Sequence, residues 1–188
     1  MMYLDILIQN HIVGIRTASI TEWMYLASRL FDMSWEFCVL VALVALLVYL
    51  LRGKSCMALF LFSLAFAAGT VGILKFMFNV SRPLDYVVSA FGKSFPSYHA
   101  TIATVFFGIL MYVFDGGFSK PTRILFNALC IFSILFVSFS RVYLGAHWFS
   151  DVVCGIILGA LVSYLAVLVF TNVTGSVRYR RGNASMIK

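Results

Sequence analysis

The stretch Ser140-Arg141-Val142-Tyr143-Leu144-Gly145-Ala146-His147-Trp148-Phe149-Ser150-Asp151 sets an arginine, a histidine and an aspartate between two long apolar runs. His147 and Asp151 are four residues apart. If a helix begins here they share a face, and the carboxylate can hold the imidazole, fix its tautomer and raise its basicity. His147 is then a candidate nucleophile, with Asp151 as its partner. Arg141 offers a planar fork able to grip two phosphoryl oxygens at once. A purely structural His–Asp pair at a helix start is the plainer alternative, and the spacing Ser-Arg-x5-His-x3-Asp argues against it.

Two further polar islands lie upstream. In Lys75-Phe76-Met77-Phe78-Asn79-Val80-Ser81-Arg82-Pro83, Lys75 and Arg82 are seven residues apart. On a helix they fall near one face, about 10 Å apart, and Pro83 ends that helix by favouring an extended Arg82. Two fixed cations at a membrane boundary suit an anion. The alternative, that Lys75 snorkels to lipid head groups and Arg82 merely flanks the span, stays open on these residues alone. The second island is Pro96-Ser97-Tyr98-His99. Ser97 is a good N-cap, and the helix it opens presents free N–H groups and a positive dipole end to an anion. His99, in the first turn, can donate a proton there. Taken alone, this island also fits an ordinary capped helix with an interfacial histidine.

The elements that must position these residues are membrane helices. Of 188 residues 62% are hydrophobic and 11% charged, whereas soluble domains carry about 25% charged residues. The expected fold is all-α: one integral membrane domain over 1–188, with about five transmembrane helices and an N-terminal interfacial helix. The spans are expected at 34–51, 56–78, 98–114, 123–140 and 151–170. The third and fourth lie near the ~17-residue minimum for crossing a bilayer. Residues 1–33 read as an amphipathic helix on the membrane surface, in one piece or two. Leu4, Ile8, Ile12 and Ile15 form one stripe there, and Trp23, Leu26 and Leu30 another; His11 is expected to be solvated. Residues 171–188 read as a basic cytoplasmic tail. No removable signal peptide is expected. Cys38, Cys56, Cys130 and Cys154 form no CxxC spacing and read as small buried hydrophobes rather than a metal site or disulfide frame.

The net charge of +7 does not point to nucleic acid, because its excess sits in short loops and the tail. Arg52, Lys54, Lys120, Arg123, Arg178, Arg180, Arg181 and Lys188 fall on one side of the expected bundle. Arg16, Arg29, Lys75, Arg82, Lys93 and Arg141 fall on the other, and three of those belong to the polar islands. The positive-inside rule puts the first group in the cytoplasm. The 79–97 and 140–151 loops then face outward together, from the inner (plasma) membrane.

In order along the chain, KFMFNVSRP, PSYH and SRVYLGAHWFSD resemble the signature of the type 2 phosphatidic acid phosphatase superfamily: Lys-x6-Arg-Pro, Pro-Ser-x-His, Ser-Arg-x5-His-x3-Asp. The resemblance covers about 75–151. It implies that Lys75, Arg82, Arg141, Ser97 and backbone N–H groups near Tyr98 cradle a phosphoryl group. It implies that His147 attacks phosphorus to form a phosphohistidine, and that His99 protonates the leaving oxygen. No cofactor or metal is implied. The implied substrate is a lipid phosphate or diphosphate. By analogy with compact bacterial members, undecaprenyl diphosphate comes first, then phosphatidylglycerophosphate, phosphatidic acid or lipid A phosphate. The family commonly has glycine before the motif histidine. Tyr98 stands there instead, which bears on substrate shape.

Three other functions compete. A lipid phosphotransferase would share the His147 intermediate and differ only in acceptor. An anion or lipid transporter would explain Lys75, Arg82 and Arg141, but gives no reason for the two histidines and the aspartate at their spacings. A silent scaffold leaves all three motifs unexplained.

Overall fold

Long apolar runs closed by capping residues become helices in the computed structural model, which describes residues 2–32, 34–88 and 92–174. Among these residues there are seven helices: α1 (Met2–Gly14), α2 (Ala18–Arg29), α3 (Trp35–Arg52), α4 (Lys54–Phe78), α5 (Tyr98–Phe114), α6 (Lys120–Tyr143) and α7 (Phe149–Thr174). The side chains of Thr17, Ser34 and Ser97 cap α2, α3 and α5, each accepting a backbone N–H three residues on. Helices α3, α4, α6 and α7 are long and apolar enough to cross a membrane. Each of the five expected spans has its helix. The last extends to Thr174, into the region read as tail, while the basic residues Arg178, Arg180, Arg181 and Lys188 lie outside the described residues.

Helix α5 has only 17 residues, or about 25 Å of rise, yet it is the centre of the bundle. Twelve of those residues are buried, and α5 packs against α7, α6 and α4. Its length need not match the hydrocarbon thickness, because other helices surround it. The closest approach is to α7. A Cβ on Gly155 would come within 2.8 Å of the Ser97 carbonyl oxygen, and one on Gly159 within 2.7 Å of the Thr101 carbonyl oxygen. Two small residues four apart let the backbones touch, as membrane helix pairs often require. The lipid side is marked by exposed apolar residues such as Leu43 and Leu50 on α3, Phe132 and Leu135 on α6, and Ile157 and Leu161 on α7.

The N-terminal segment is two helices, α1 and α2, and most of its apolar stripes face away from the bundle. Leu4 and Ile15 are exposed, as are Trp23, Leu26 and Leu30. Turned inward on α1 are Asp5, Gln9 and Ile12, and on α2 Met24, Ala27 and Ser28. Ile12 and Met24 pack with Val142, Tyr143, Leu144 and Val152, while Asp5 and Ser28 meet polar groups of α7 and α6. Asp5 accepts the Ser150 N–H at 2.9 Å and the Ser150 hydroxyl at 2.7 Å, capping α7 from another helix. Arg16 donates to the carbonyls of Tyr143 and Asp85 at 2.8 and 2.9 Å. His11 is exposed, as expected. The four cysteines form no disulfide; Cys130 is buried, but Cys38 is exposed rather than core.

Candidate active site

The two loops read as facing one way meet at one end of the bundle. Val87 N–H donates to the Leu144 carbonyl at 2.9 Å, Trp148 Nε1 to the Ser81 carbonyl at 2.8 Å, and Ser97 N–H to the Asp151 carbonyl at 3.1 Å. At the opposite end Arg52 lies over the Phe114 ring, 5.2 Å from its centroid, and against Gly117.

Helix α4 stops at Phe78, with Asn79 in the left-handed region at φ 47°. The span ends where expected, but the helix does not run on toward Pro83, so Arg82 is a loop residue and does not share a helix face with Lys75. The two cations converge by another route, on one carbonyl. Lys75 Nζ donates to the Lys93 oxygen at 2.6 Å, and Arg82 Nη2 to the same oxygen at 3.2 Å. Arg82 also donates from Nε to the Gly92 oxygen at 3.1 Å and from Nη1 to the Ala146 oxygen at 2.5 Å. Burial pulls the Arg82 guanidinium below its ordinary value, and Asp151 partly offsets that.

Helix α6 ends at Tyr143, and Gly145 at φ 71° turns the chain. His147 therefore lies in the turn ahead of α7, not on its face. The Ala146 and His147 N–H groups both donate back to the Arg141 carbonyl, at 3.0 and 3.2 Å, which ties nucleophile candidate to cation. Asp151, in the first turn of α7, reaches back to the Trp148 N–H at 3.0 Å, half of a capping box. Its Oδ2 is 3.6 Å from His147 Nδ1, beyond a good hydrogen bond. The expected direct pairing is replaced by a relay through Ser94, which the sequence reading missed. Ser94 Oγ donates to Asp151 Oδ2 at 2.5 Å and lies 3.3 Å from His147 Nδ1. On the other ring nitrogen, Arg82 Nη1 sits 3.2 Å from His147 Nε2. A guanidinium only donates, so Nε2 carries the lone pair and Nδ1 the proton, which points at Ser94.

His147 and Asp151 are each 1% exposed. Burial holds the His147 imidazole well below its ordinary range, and Arg82, Arg141, Lys75 and His99 push the same way. That shared influence brings the expected site residues into one electrostatic neighbourhood. Arg141 is buried and donates through Nη1 to Ser28 Oγ of α2. His99, at the start of α5, has its Nε2 2.7 Å from Asp32 Oδ1. The Ser97 hydroxyl is buried and accepts the Ala100 N–H at 3.5 Å. The Tyr98 side chain lines an apolar cavity between α3, α4 and α5 together with Phe37, Cys38 and Ile102, rather than standing among the cations. Ser28, Asp32 and Ser94 carry no local motif. Their only sequence signal was being polar in an apolar chain. Among the described residues no three His, Cys, Asp or Glu side chains converge as a metal ligand set.

Fold and site define a multi-pass helical membrane protein with two histidines and three cations gathered at one end of its bundle. The chain belongs to the PAP2 superfamily, whose profile matches residues 56–174. It is 31% identical over 120 residues to the lipid A 1-phosphatase of Rhizobium johnstonii, an alignment covering 58% of this chain and 46% of that one. The chain thus spans about half the length of that curated relative. The crystal structure of the transmembrane PAP2-type phosphatidylglycerolphosphate phosphatase from Bacillus subtilis superposes with a TM-score of 0.81 at 24% identity, covering 88% of this chain and 83% of that one. Aquifex aeolicus LpxE superposes with a TM-score of 0.71 at 18% identity, covering 88% and 93%.

Proposed function

We propose that this protein is a metal-independent membrane lipid phosphatase working through a phosphohistidine. The observation that carries the reading is the presentation of the His147 Nε2 lone pair to Arg82 at 3.2 Å, in a neighbourhood shared with Lys75, Arg141 and His99. When a phosphoryl group enters, Arg82, Lys75 and Arg141 exchange carbonyl and hydroxyl partners for its oxygens, joined by backbone N–H groups near Ser97 and Tyr98.

His147 Nε2 attacks phosphorus. The N–P bond forms as the P–O bond to the lipid breaks, and the leaving oxygen takes that electron pair and a proton from His99. Nδ1–H stays on Ser94 and, through it, on Asp151, which stabilises the charge the ring gains. Water then attacks phosphorus, giving a proton to His99, and the N–P electrons return to Nε2. Phosphate leaves and both imidazoles are restored. The cations supply most of the stabilisation of the transition-state oxygens.

The substrate class is a lipid phosphate or diphosphate, because the site lies at the end of lipid-facing helices where a head group can enter while its tail stays in the bilayer. Undecaprenyl diphosphate, phosphatidylglycerophosphate, phosphatidic acid and lipid A 1-phosphate are the lipids to compare. The Rhizobium relative's name favours the last. The basic loops argue for a site on the extracytoplasmic face of the plasma membrane. Phosphate release from these four lipids in detergent, with and without EDTA, tests the proposal. Release that survives EDTA, needs no added acceptor and disappears in His147→Ala is expected. Failure on all four lipids, or strict metal dependence, would end it, and release only with an acceptor would favour a phosphotransferase.

A further inference from the structure

Residues outside the matched 56–174 region reach the centre of the site. Asp32 follows α2, and its Oδ1 lies 2.7 Å from His99 Nε2. It does not sit there by loose approach. The preceding residue, Phe31, is 3% exposed and packs its ring on Phe37, Phe106 and Phe107 at 5.6–5.8 Å. One turn earlier Ser28 is bound by Arg141. The backbone between them is closed by Phe31 N–H to the Ser28 carbonyl at 3.0 Å, and Ser34 N–H returns to the Asp32 carbonyl at 2.7 Å. The carboxylate is therefore fixed by its own anchored turn.

We propose that Asp32 is the positioning carboxylate of His99, doing for the proton donor what Ser94 and Asp151 do for His147; this rests on the phosphatase reading above. One ring nitrogen of His99 is held by Asp32. The other, Nδ1, is buried and has no hydrogen-bond partner among the described residues. Asp32 thus fixes the ring and leaves Nδ1 to carry the proton that moves to the leaving oxygen and later returns from water. The charged groups acting on His99 are Asp32, Arg141 and Arg82, with His147 nearby. Burial opposes an imidazolium most, and the two cations oppose it as well; Asp32, by hydrogen bond and by charge, is the group that favours it. The carboxylate is available for this. Burial pushes it up, but its hydrogen bond and charge interaction with His99, with Arg141 and Arg29 adding to it, leave it below its ordinary value and ionised.

The test compares wild type, Asp32→Asn and Asp32→Glu in detergent on phosphatidic acid, a poor leaving group, and p-nitrophenyl phosphate, a good one. Asp32→Asn should lower kcat on phosphatidic acid about tenfold or more, the loss of one hydrogen bond to a charged group. It should cost p-nitrophenyl phosphate much less, since that leaving group needs little protonation. The alkaline limb of kcat should move to lower pH by about one unit, and Asp32→Glu should restore part of each effect. Equal losses on both substrates with an unchanged pH profile would make Asp32 merely structural. Unchanged or higher activity would mean that the carboxylate only occupies the anion site; either result overturns the proposal. If wild type releases no phosphate from either compound, the comparison moves to whichever of the other three lipids it hydrolyses, and failure on all four is failure of the phosphatase reading. The ring-nitrogen NMR titration of His99 then still decides on Asp32, because Asp32→Asn must lower its midpoint.

Discussion

His147 and Asp151 share no direct hydrogen bond: Nδ1 and Oδ2 are 3.6 Å apart, and Ser94 Oγ occupies the hydrogen-bonding position between them. A serine is both acceptor and donor, so it can pass the carboxylate's influence to the ring while its own proton stays on Asp151. Ser94→Ala should therefore lower kcat/KM on a lipid phosphate by roughly ten- to a hundredfold, the range of a hydrogen bond to a charged group. Ser94→Thr, which keeps the hydroxyl, should retain more. Steady-state kinetics on detergent-solubilised protein of unchanged thermal stability check this. Wild-type kinetics in Ser94→Ala would show the relay to be idle.

The position of His147 among cations has a consequence for pH. Its imidazole is held well below the ordinary value of 6.5, by burial first and then by Arg82, Arg141, Lys75 and His99. A lowered value means the ring stays neutral and nucleophilic as pH falls through 6.5, and becomes protonated only further down. In 15N-histidine spectra, the signals lost in His147→Ala should still be those of neutral imidazole at pH 6. Lys75→Met removes one of the repelling charges and should move the titration upward.

Gly145 turns the chain between α6 and His147 at φ 71°, and a Cβ there would meet the Asp85 carbonyl oxygen at 2.4 Å. The left-handed conformation alone costs a side chain about 1–2 kcal/mol, and the clash adds to it. Gly145→Ala should lower the melting temperature and reduce activity further, by shifting the turn that carries His147. Intrinsic fluorescence melting beside turnover separates the two effects.

Asp5 caps α7 through both carboxylate oxygens on Ser150. Asp5→Ala should cost about 1 kcal/mol, as a lost N-cap does. It should also slow turnover, because Asp151 occupies the same first turn. A melting curve and a rate on the same preparation give both numbers, and a variant unchanged in both would show the Asp5–Ser150 contact to be dispensable.

Lys93 is exposed beside the site. In a chain whose exposed Cys38 is replaced by serine, Lys93→Cys should react with a membrane-impermeant maleimide from outside intact cells. Protection there, with labelling only after lysis, would reverse the orientation.

The sequence by itself determined the class of molecule and most of the candidate site residues. An apolar chain with few charges makes each one conspicuous, and the local spacings of Lys75, Arg82, His99, Arg141, His147 and Asp151 can be read without knowing the fold. Helix identity was legible for the same reason, since long apolar runs can satisfy their backbone in lipid only as helices. What the tertiary structure decided is how those groups meet. Lys75 and Arg82 converge on the Lys93 carbonyl because α4 ends at Asn79, not because they share a helix face. Asp5 turns inward because α1 packs on the polar start of α7, where Ser150 gives its carboxylate two donors. Ser94 reaches His147 from 53 residues away, Asp32 reaches His99 from 67, and Ser28 reaches Arg141 from 113. A lone serine or aspartate has no local periodicity or spacing to announce a role. It acquires one only when folding brings a buried charge within hydrogen-bonding distance and leaves it no water to turn to.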